Sequence, residues 1–143
     1  MKRNYLINCE DRNGVQKASL ALATAFKLMN NLPIKNVVIV CPNIKNLIHN
    51  DIGEAINSFN LSSFTASRLK RHEPVKIANT RFEAIPSSKI AQIRDIDIVI
   101  ADCLSPRDME LIDKLEGIKF VIYIPYHSGE YELWKSKNNA EVI

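Results

Sequence analysis

The sequence has no apolar run that approaches the roughly 18 residues needed to span a membrane. Its first residues, MKRNYLINCEDR, reach charged side chains too early for a signal peptide. The three cysteines lie far apart and form neither a disulfide framework nor a CxxC zinc pattern, so we expect reduced thiols. These absences argue against a membrane protein and a disulfide-stapled secreted domain, and they predict a cytoplasmic protein.

Glycine is also scarce. The chain has four glycines, and only Gly14 falls in the first predicted strand–helix connection. Phosphate loops use several glycines because consecutive backbone N–H groups must converge on the anion. The net charge of +3 is mild, so it permits an anionic ligand or nucleic acid without demanding one.

The hydrophobic pattern predicts strands that alternate with helices. Near-continuous β-branched and aromatic runs are typical of parallel strands that are covered on both faces. The predicted strands are 4–9, 35–41, 97–103 and 119–125, with a weaker strand at 74–80. The predicted helices are 15–30, 44–59, about 87–94, 106–116 and about 130–137.

This alternation predicts the fold class and the domain organisation. We expect an α/β fold, a three-layer Rossmann-like or P-loop-like domain with a mainly parallel sheet of about five strands and helices on both faces. A chain of 143 residues with 46% hydrophobic residues fits a single domain with a real core. We expect this domain to cover residues 1–135 and a loose C-terminal tail to cover residues 136–143.

The first strand–helix connection carries the most informative motif. Ligands bind at the carboxyl ends of the strands in open α/β sheets, and this connection lies at such an end. Residues 12–23, RNGVQKASLALA, resemble the deviant Walker A loop of the ParA/MinD group of P-loop ATPases, K-G-G-V-G-K-T-[ST]. The residues that match this pattern are Gly14, Val15, Lys17 and Ser19.

Four positions depart from that pattern. Arg12 stands where the family has its signature lysine, and Asn13 and Gln16 stand where it has glycines. Asn13 and Gln16 also have the spacing of a helix capping box. Ala18 replaces the hydroxyl residue that ligates magnesium, an ion that neutralises charge on the transferred phosphoryl group. The departures should therefore damage hydrolysis more than anion binding, which the helix N-terminus still favours together with Arg12 and Lys17.

Two further segments follow in the order found in that family. Residues 37–43 occupy the place of its D-x-D-P motif, and residues 96–106 resemble its Walker B strand, with Asp102 as the aspartate. The resemblance covers residues 4–125 and implies a P-loop-like binding or regulatory domain that is non-catalytic or weakly catalytic. It implies a nucleotide or phosphate ligand without tightly held magnesium, no catalytic residue and no metal site. The implied ligand residues are Arg12, Asn13, Gly14, Lys17, Ser19 and Asp102.

Two other classes of function stay open. One is a Rossmann-type enzyme that binds a small ligand in the same strand-end crevice. The other is a protein-interaction subunit of a larger complex, which would dock through residues 61–73 or through a C-terminal segment with an exposed Trp134, because aromatic and arginine side chains anchor interfaces. We expect a protein partner or self-association. Nucleic-acid phosphates are a further possible partner, through Arg68, Lys70 and Arg71.

Several other residue groups have simpler explanations. Cys9, Cys41 and Cys103 each end a predicted strand and together resemble a soft-metal site. Cysteine is nevertheless among the most buried residue types, so we expect three core thiols. The adjacent His127 and Ser128 do not indicate a hydrolase, because catalytic triads are assembled in space rather than from sequence neighbours.

Overall fold

The computed structural model of the chain describes residues 2–126 and 131–143. The strands are β1 (Arg3–Leu6), β2 (Asn36–Cys41), β3 (Val75–Ile77), β4 (Thr80–Pro86), β5 (Ile98–Asp102), β6 (Phe120–Ile124) and β7 (Glu141–Val142). Within the described residues they form one sheet of seven strands, in the order β3-β4-β2-β5-β6-β1-β7. The β3–β4 hairpin is antiparallel, and the other neighbouring pairs are parallel.

Helices cover both faces of this sheet. They are α1 (Gly14–Asn31), α2 (Asp51–Ser58), α3 (Ala66–Lys70), α4 (Pro106–Asp113) and α5 (Glu132–Asn138), with 3₁₀ turns at Ile44–Asn46 and Ser87–Gln92. Buried side chains of α1, α2 and α3 pack on one face, and those of α4, α5 and the second 3₁₀ turn pack on the other. The predicted three-layer α/β fold with a mainly parallel sheet is confirmed. Among the described residues, none of the helices is long and apolar enough to cross a membrane.

Strand β2 shows why the central strands read as unbroken apolar runs. Val37 and Ile39 pack in the same cluster as α1 and α2, whereas Val38 and Val40 pack in the cluster of α4 and α5. Because helices cover both faces, side chains that alternate between the faces must all be apolar.

Two regions bring the sheet from about five predicted strands to seven. The weak strand predicted at 74–80 is a hairpin, in which Ala78 takes a positive φ of 52° between β3 and β4. Strand β4 then continues to Pro86 and pairs in parallel with β2. The turn at Ala78 and Asn79 contains neither glycine nor proline and gives no strong sequence signal, so the sequence predicted a single strand here.

The C-terminal residues supply the other unpredicted strand. Helix α5 ends at Asn138, and Asn139 takes a left-handed conformation with φ 50° that redirects the chain. Strand β7 then pairs in parallel with β1, and the Ile143 N–H donates to the Leu6 carbonyl at 2.9 Å. The open edge of β1 therefore orders residues within the predicted loose tail of 136–143. The domain limit at residue 135 stays a prediction.

The helix predicted at 44–59 is also interrupted. A 3₁₀ turn ends at Asn46, and α2 begins only at Asp51, with Asn50 as its N-cap. The Asn50 side chain accepts a hydrogen bond from the Gly53 N–H at 2.9 Å. A Cβ at Gly53 would collide with the Leu47 carbonyl, so this tight approach requires glycine. The apolar stripe continues across the break, and for that reason it predicted a single helix.

The strand order determines which loops meet at one edge of the sheet. Strand β1 lies between β6 and β7, and β5 lies on the other side of β6. The carboxyl ends of β1, β6 and β5 are therefore side by side. The connections that follow them bring together the first loop, the end of β6 and Asp102.

Candidate functional site

The first turn of α1 is closed by its own capping box. The Asn13 side chain accepts a hydrogen bond from the Gln16 N–H at 2.9 Å, and the Gln16 side chain accepts one from the Asn13 N–H at 2.8 Å. This confirms the predicted capping box. The N–H groups of Gly14 and Val15 are the early donors that this box does not use. A phosphate-binding loop instead directs several consecutive N–H groups at one anion.

The two cations beside this turn contact backbone carbonyls. Arg12 Nη1 donates to the Asn8 carbonyl at 3.1 Å and to the Ile143 carbonyl at 3.0 Å. Lys17 Nζ donates to the Pro125 carbonyl, just after β6, at 3.3 Å. Arg12 therefore ties the first loop to the β7 edge, and Lys17 ties α1 to the end of β6.

Asp102 lies at the carboxyl end of β5, and it is only 7% exposed. Its pKa is raised from 3.8 to about 6, mainly because burial disfavours the charged carboxylate. A hydrogen bond with the Cys103 side chain lowers this pKa, the charge of Asp51 raises it, and the charge of Lys17 lowers it. Lys17 and Asp102, which the sequence motif predicted together, therefore do interact electrostatically.

Asp51 is the residue of this site that the sequence motif missed. It is the first residue of α2, and its carboxylate contacts Gly14 so closely that a Cβ at position 14 would collide with Asp51 Oδ2. The signal that could have identified it is Asn50, a good N-cap residue three positions before Gly53. With 44–59 predicted as one helix, Asp51 instead falls in the middle of that helix.

The structure brings together only part of the predicted ligand set. Gly14 and Asn13 begin α1, and Lys17 faces the end of β6 and the charge of Asp102. Arg12 points towards the β7 edge. Ser19 lies in the second turn of α1, half-buried, and within the described residues no side-chain hydrogen bond joins it to the rest of the set. Ala18 is buried and has no side-chain oxygen to offer a cation.

The three cysteines differ in their environments. Cys41 is buried, whereas Cys9 and Cys103 are half-buried. Burial, and then the charge of Asp102, raises the pKa of Cys41 and raises that of Cys103 to about 12. Residues 2–126 and 131–143 contain no group of three or more His, Cys, Asp or Glu side chains that could hold a metal ion. His127 and Ser128 lie outside the described residues.

The two segments considered as docking surfaces bury their main apolar anchors. Phe64 and Leu69 are buried in the core beside α1 and α2. Trp134 is 6% exposed, packs edge-on against Tyr123 with ring centroids 5.2 Å apart, and donates to Asp113 at 3.1 Å. The expectation of an exposed Trp134 is therefore wrong, because its ring packs into the buried cluster between the sheet and α4.

The basic cluster of residues 61–73 stays on the surface. Arg68 and Arg71 are exposed, and Lys70 is half-buried. Arg71 forms a 2.9 Å ion pair with Glu73, which offsets part of the positive charge of the cluster. Arg68 and Lys70 are thus the more available cations for a phosphate backbone.

Comparison with known proteins gives similarity at the level of the fold. No protein-family model and no curated protein sequence matches the chain. The large terminase of a thermophilic bacteriophage superposes with a TM-score of 0.56 at 12% identity, over 99% of this chain and 39% of the terminase chain. The N-terminal domain of the DNA packaging ATPase from bacteriophage phi29 gives a TM-score of 0.48 at 12% identity, over 96% of this chain and 80% of that domain. The terminase similarity supports a P-loop-like fold, and the comparisons do not support membership of the ParA/MinD group.

Proposed function

We propose that this chain is a P-loop-like domain that binds rather than hydrolyses, and that it acts as a binding or regulatory part of a larger assembly. The observation that carries the proposal is the first turn of α1, where a capping box and a neighbouring carboxylate take the place of a glycine-rich phosphate cradle. The reduced thiols expected from the cysteine spacing fit a cytoplasmic location.

The chemistry of the site supports binding without turnover. Hydrolysis of a nucleotide needs a cation that neutralises charge on the transferred phosphoryl group. Ala18 stands where the magnesium-ligating hydroxyl would be, and the Asp51 carboxylate lies against Gly14 in the first turn, where a phosphate oxygen would bind. These residues do not fit a magnesium–nucleotide complex. Any remaining affinity for phosphate should be weak and centred on Asn13, Gly14 and Lys17, with Arg12, Ser19 and Asp102 as the outer members of the proposed ligand set.

A Rossmann-type enzyme is the less favoured alternative. In the strand order of dinucleotide-binding Rossmann folds, the first strand lies next to the second, and the ligand binds where the order reverses. Here β5 and β6 separate β1 from β2, so the crevice is bordered by β1, β6 and β5. The residues at this crevice also lack the glycine-rich turn that a pyrophosphate group needs.

The proposal of a larger assembly rests on surface chemistry and on length. Leu133 is 77% exposed on α5, and Arg68 is exposed on α3, so both an apolar and a cationic contact are available to a partner. This chain spans 39% of the terminase chain that it resembles, which fits a domain that works beside others. We propose a protein partner or a second copy as the main contact, with nucleic-acid phosphates at Arg68, Lys70 and Arg71.

A phosphate-release assay on the purified chain with ATP or GTP tests the proposal. We expect no magnesium-dependent turnover, and we expect the Lys17→Ala variant to give the same background as the wild type. Lys27→Ala serves as the matched control, since Lys27 is an exposed lysine of the same helix that lies outside the candidate site. Magnesium-dependent turnover that Lys17→Ala abolishes and Lys27→Ala retains would overturn the proposal.

A further inference from the structure

We infer that Asp51 occupies the anion position of the first loop, so that a carboxylate of the chain itself stands where a phosphate would bind. The inference rests on the proposed function, since it explains how a P-loop-like domain can be kept from holding a nucleotide. It assigns a role to a residue outside the loop motif.

The first support is the contact between α2 and α1. Asp51 Oδ2 lies against Gly14, the first residue of α1, within the space that a Cβ there would fill. A carboxylate in van der Waals contact with this glycine excludes a phosphate oxygen from the same place. Gly14 has no side chain that could keep Asp51 away.

The second support is the arrangement of helix ends. Asp51 is the first residue of α2 and touches the first residue of α1, so two helix N-termini meet at one carboxylate. Each N-terminus carries about half a positive charge and favours an anion. Residues 14–17 include no Asp or Glu, so α1 has no acidic residue in its own first turn. Asp51 supplies the charge that this helix end lacks.

The third support is the charge balance around Asp51. Its charge acts on Asp102, and Lys17 acts on the same carboxylate with the opposite sign. Asp51 and Lys17 thus both lie within electrostatic reach of Asp102, so two carboxylates of the chain already share the space beside this cation. A phosphate entering this space would meet two negative charges and would be repelled by both.

The test uses inorganic pyrophosphate and four forms of the full chain. These are the wild type, Asp51→Ala, Asp51→Asn and the control Asp108→Ala. Asp108 also lies in a first helical turn, that of α4, so its removal deletes an equivalent charge elsewhere. Binding is followed by backbone amide NMR shifts of residues 13–17 and by the pyrophosphate dependence of the melting temperature.

We expect Asp51→Ala to bind pyrophosphate at residues 13–17 at least about tenfold more tightly than the wild type, because both the charge and the bulk are removed. Asp51→Asn keeps the bulk and should gain less, and Asp108→Ala should gain nothing. In Asp51→Asn the pKa of Asp102 should also fall, because the Asp51 charge raises it.

Two results would overturn the inference. One is that the wild type binds pyrophosphate at residues 13–17 as tightly as Asp51→Ala does. The other is that neither Asp51 variant gains affinity although both melt cooperatively. Neither result involves hydrolysis, so the proposed function would stand, and it fails only if the phosphate-release assay detects turnover. If Asp51→Ala does not fold, Asp51→Asn provides the same comparison.

Discussion

Two strand–helix connections meet at the carboxyl edge of the sheet, and they are built differently. The β5–α4 connection, residues 103–105, is short, and Tyr123 Oη donates to its Leu104 carbonyl at 2.8 Å. Its helix begins with its own cap, Ser105, and with its own acidic residue, Asp108. The β1–α1 connection, residues 7–13, is longer, and its helix takes the carboxylate of Asp51 from another helix.

This comparison shows which contacts stabilise the start of each helix. The start of α4 is complete within a few residues, so the local sequence determines it. The start of α1 also has a local capping box, but the carboxylate beside it comes from α2, so a tertiary contact completes this helix end. Ligand chemistry at the start of α1 consequently depends on a residue that is far away along the chain.

The largest expected effect comes from Asp102, which directly precedes the β5–α4 connection. Its pKa in the folded state is about 6, above the ordinary 3.8. Between pH 3.8 and about 6, the folded chain therefore keeps a proton on Asp102 that the unfolded chain has lost. Above pH 6 the buried carboxylate is ionised and lowers the free energy of unfolding by its full amount, and this loss disappears as the pH falls to about 4. The shift in pKa corresponds to a loss of roughly 3 kcal/mol.

Asp102→Asn should therefore raise the free energy of unfolding at pH 7 by up to roughly 3 kcal/mol and remove this group's pH dependence between about 4 and 6. Urea unfolding of both proteins across that range gives the measurement. Asp108→Asn is the control, and it should be neutral or slightly destabilising, because a carboxylate in the first turn of α4 is favourable. Equal pH profiles for the wild type and Asp102→Asn would show that Asp102 is ionised in the folded protein at no cost.

The caps of the two helices give the next largest effect. Asn13→Ala should destabilise by about 1–2 kcal/mol, because it removes one half of a reciprocal pair of hydrogen bonds. Ser105→Ala should cost about 0.5–1 kcal/mol, because Ser105 accepts a single hydrogen bond, from the Asp108 N–H at 3.2 Å. Thermal and urea unfolding measure both. A larger loss for Ser105→Ala would mean that the shorter connection, and not the longer one, depends more on its cap.

The same contrast between local and distant contacts explains what the sequence could predict. Strands β2, β5 and β6 were placed to within about one residue, because covered parallel strands produce unbroken apolar runs. The Asn13–Gln16 capping box was predictable from its spacing alone. These features depend on near neighbours or on simple burial.

Features that depend on distant contacts were not predicted. Strand β7 forms because β1 offers an open edge, and the apolar pattern of residues 136–143 is too weak to indicate it. The break before α2 depends on the Asn50 cap and on the approach of Gly53 to Leu47. Because that break was missed, Asp51 was missed with it. The ligand set taken from the motif stays a prediction, and the motif did not indicate the Asp51 carboxylate that lies against Gly14.

The smallest expected effect tests the contact between Gly14 and Asp51 directly. Alanine is more favourable than glycine in a helix by roughly 0.5–1 kcal/mol, but in the wild type its Cβ would collide with Asp51 Oδ2. Gly14→Ala should therefore be neutral or destabilising in the wild type and stabilising in Asp51→Ala. Urea unfolding of the wild type, the two single variants and the double variant measures the coupling between the two positions. It should be about 0.5–1 kcal/mol, because Asp51 is a flexible side chain that can turn away.

Gly117→Ala is a control with no neighbouring side chain, although its φ of 81° makes it destabilising in both backgrounds by the same amount. Strict additivity of Gly14→Ala and Asp51→Ala would mean that the two residues do not touch in solution, and the contrast between the two helix ends would lose its basis.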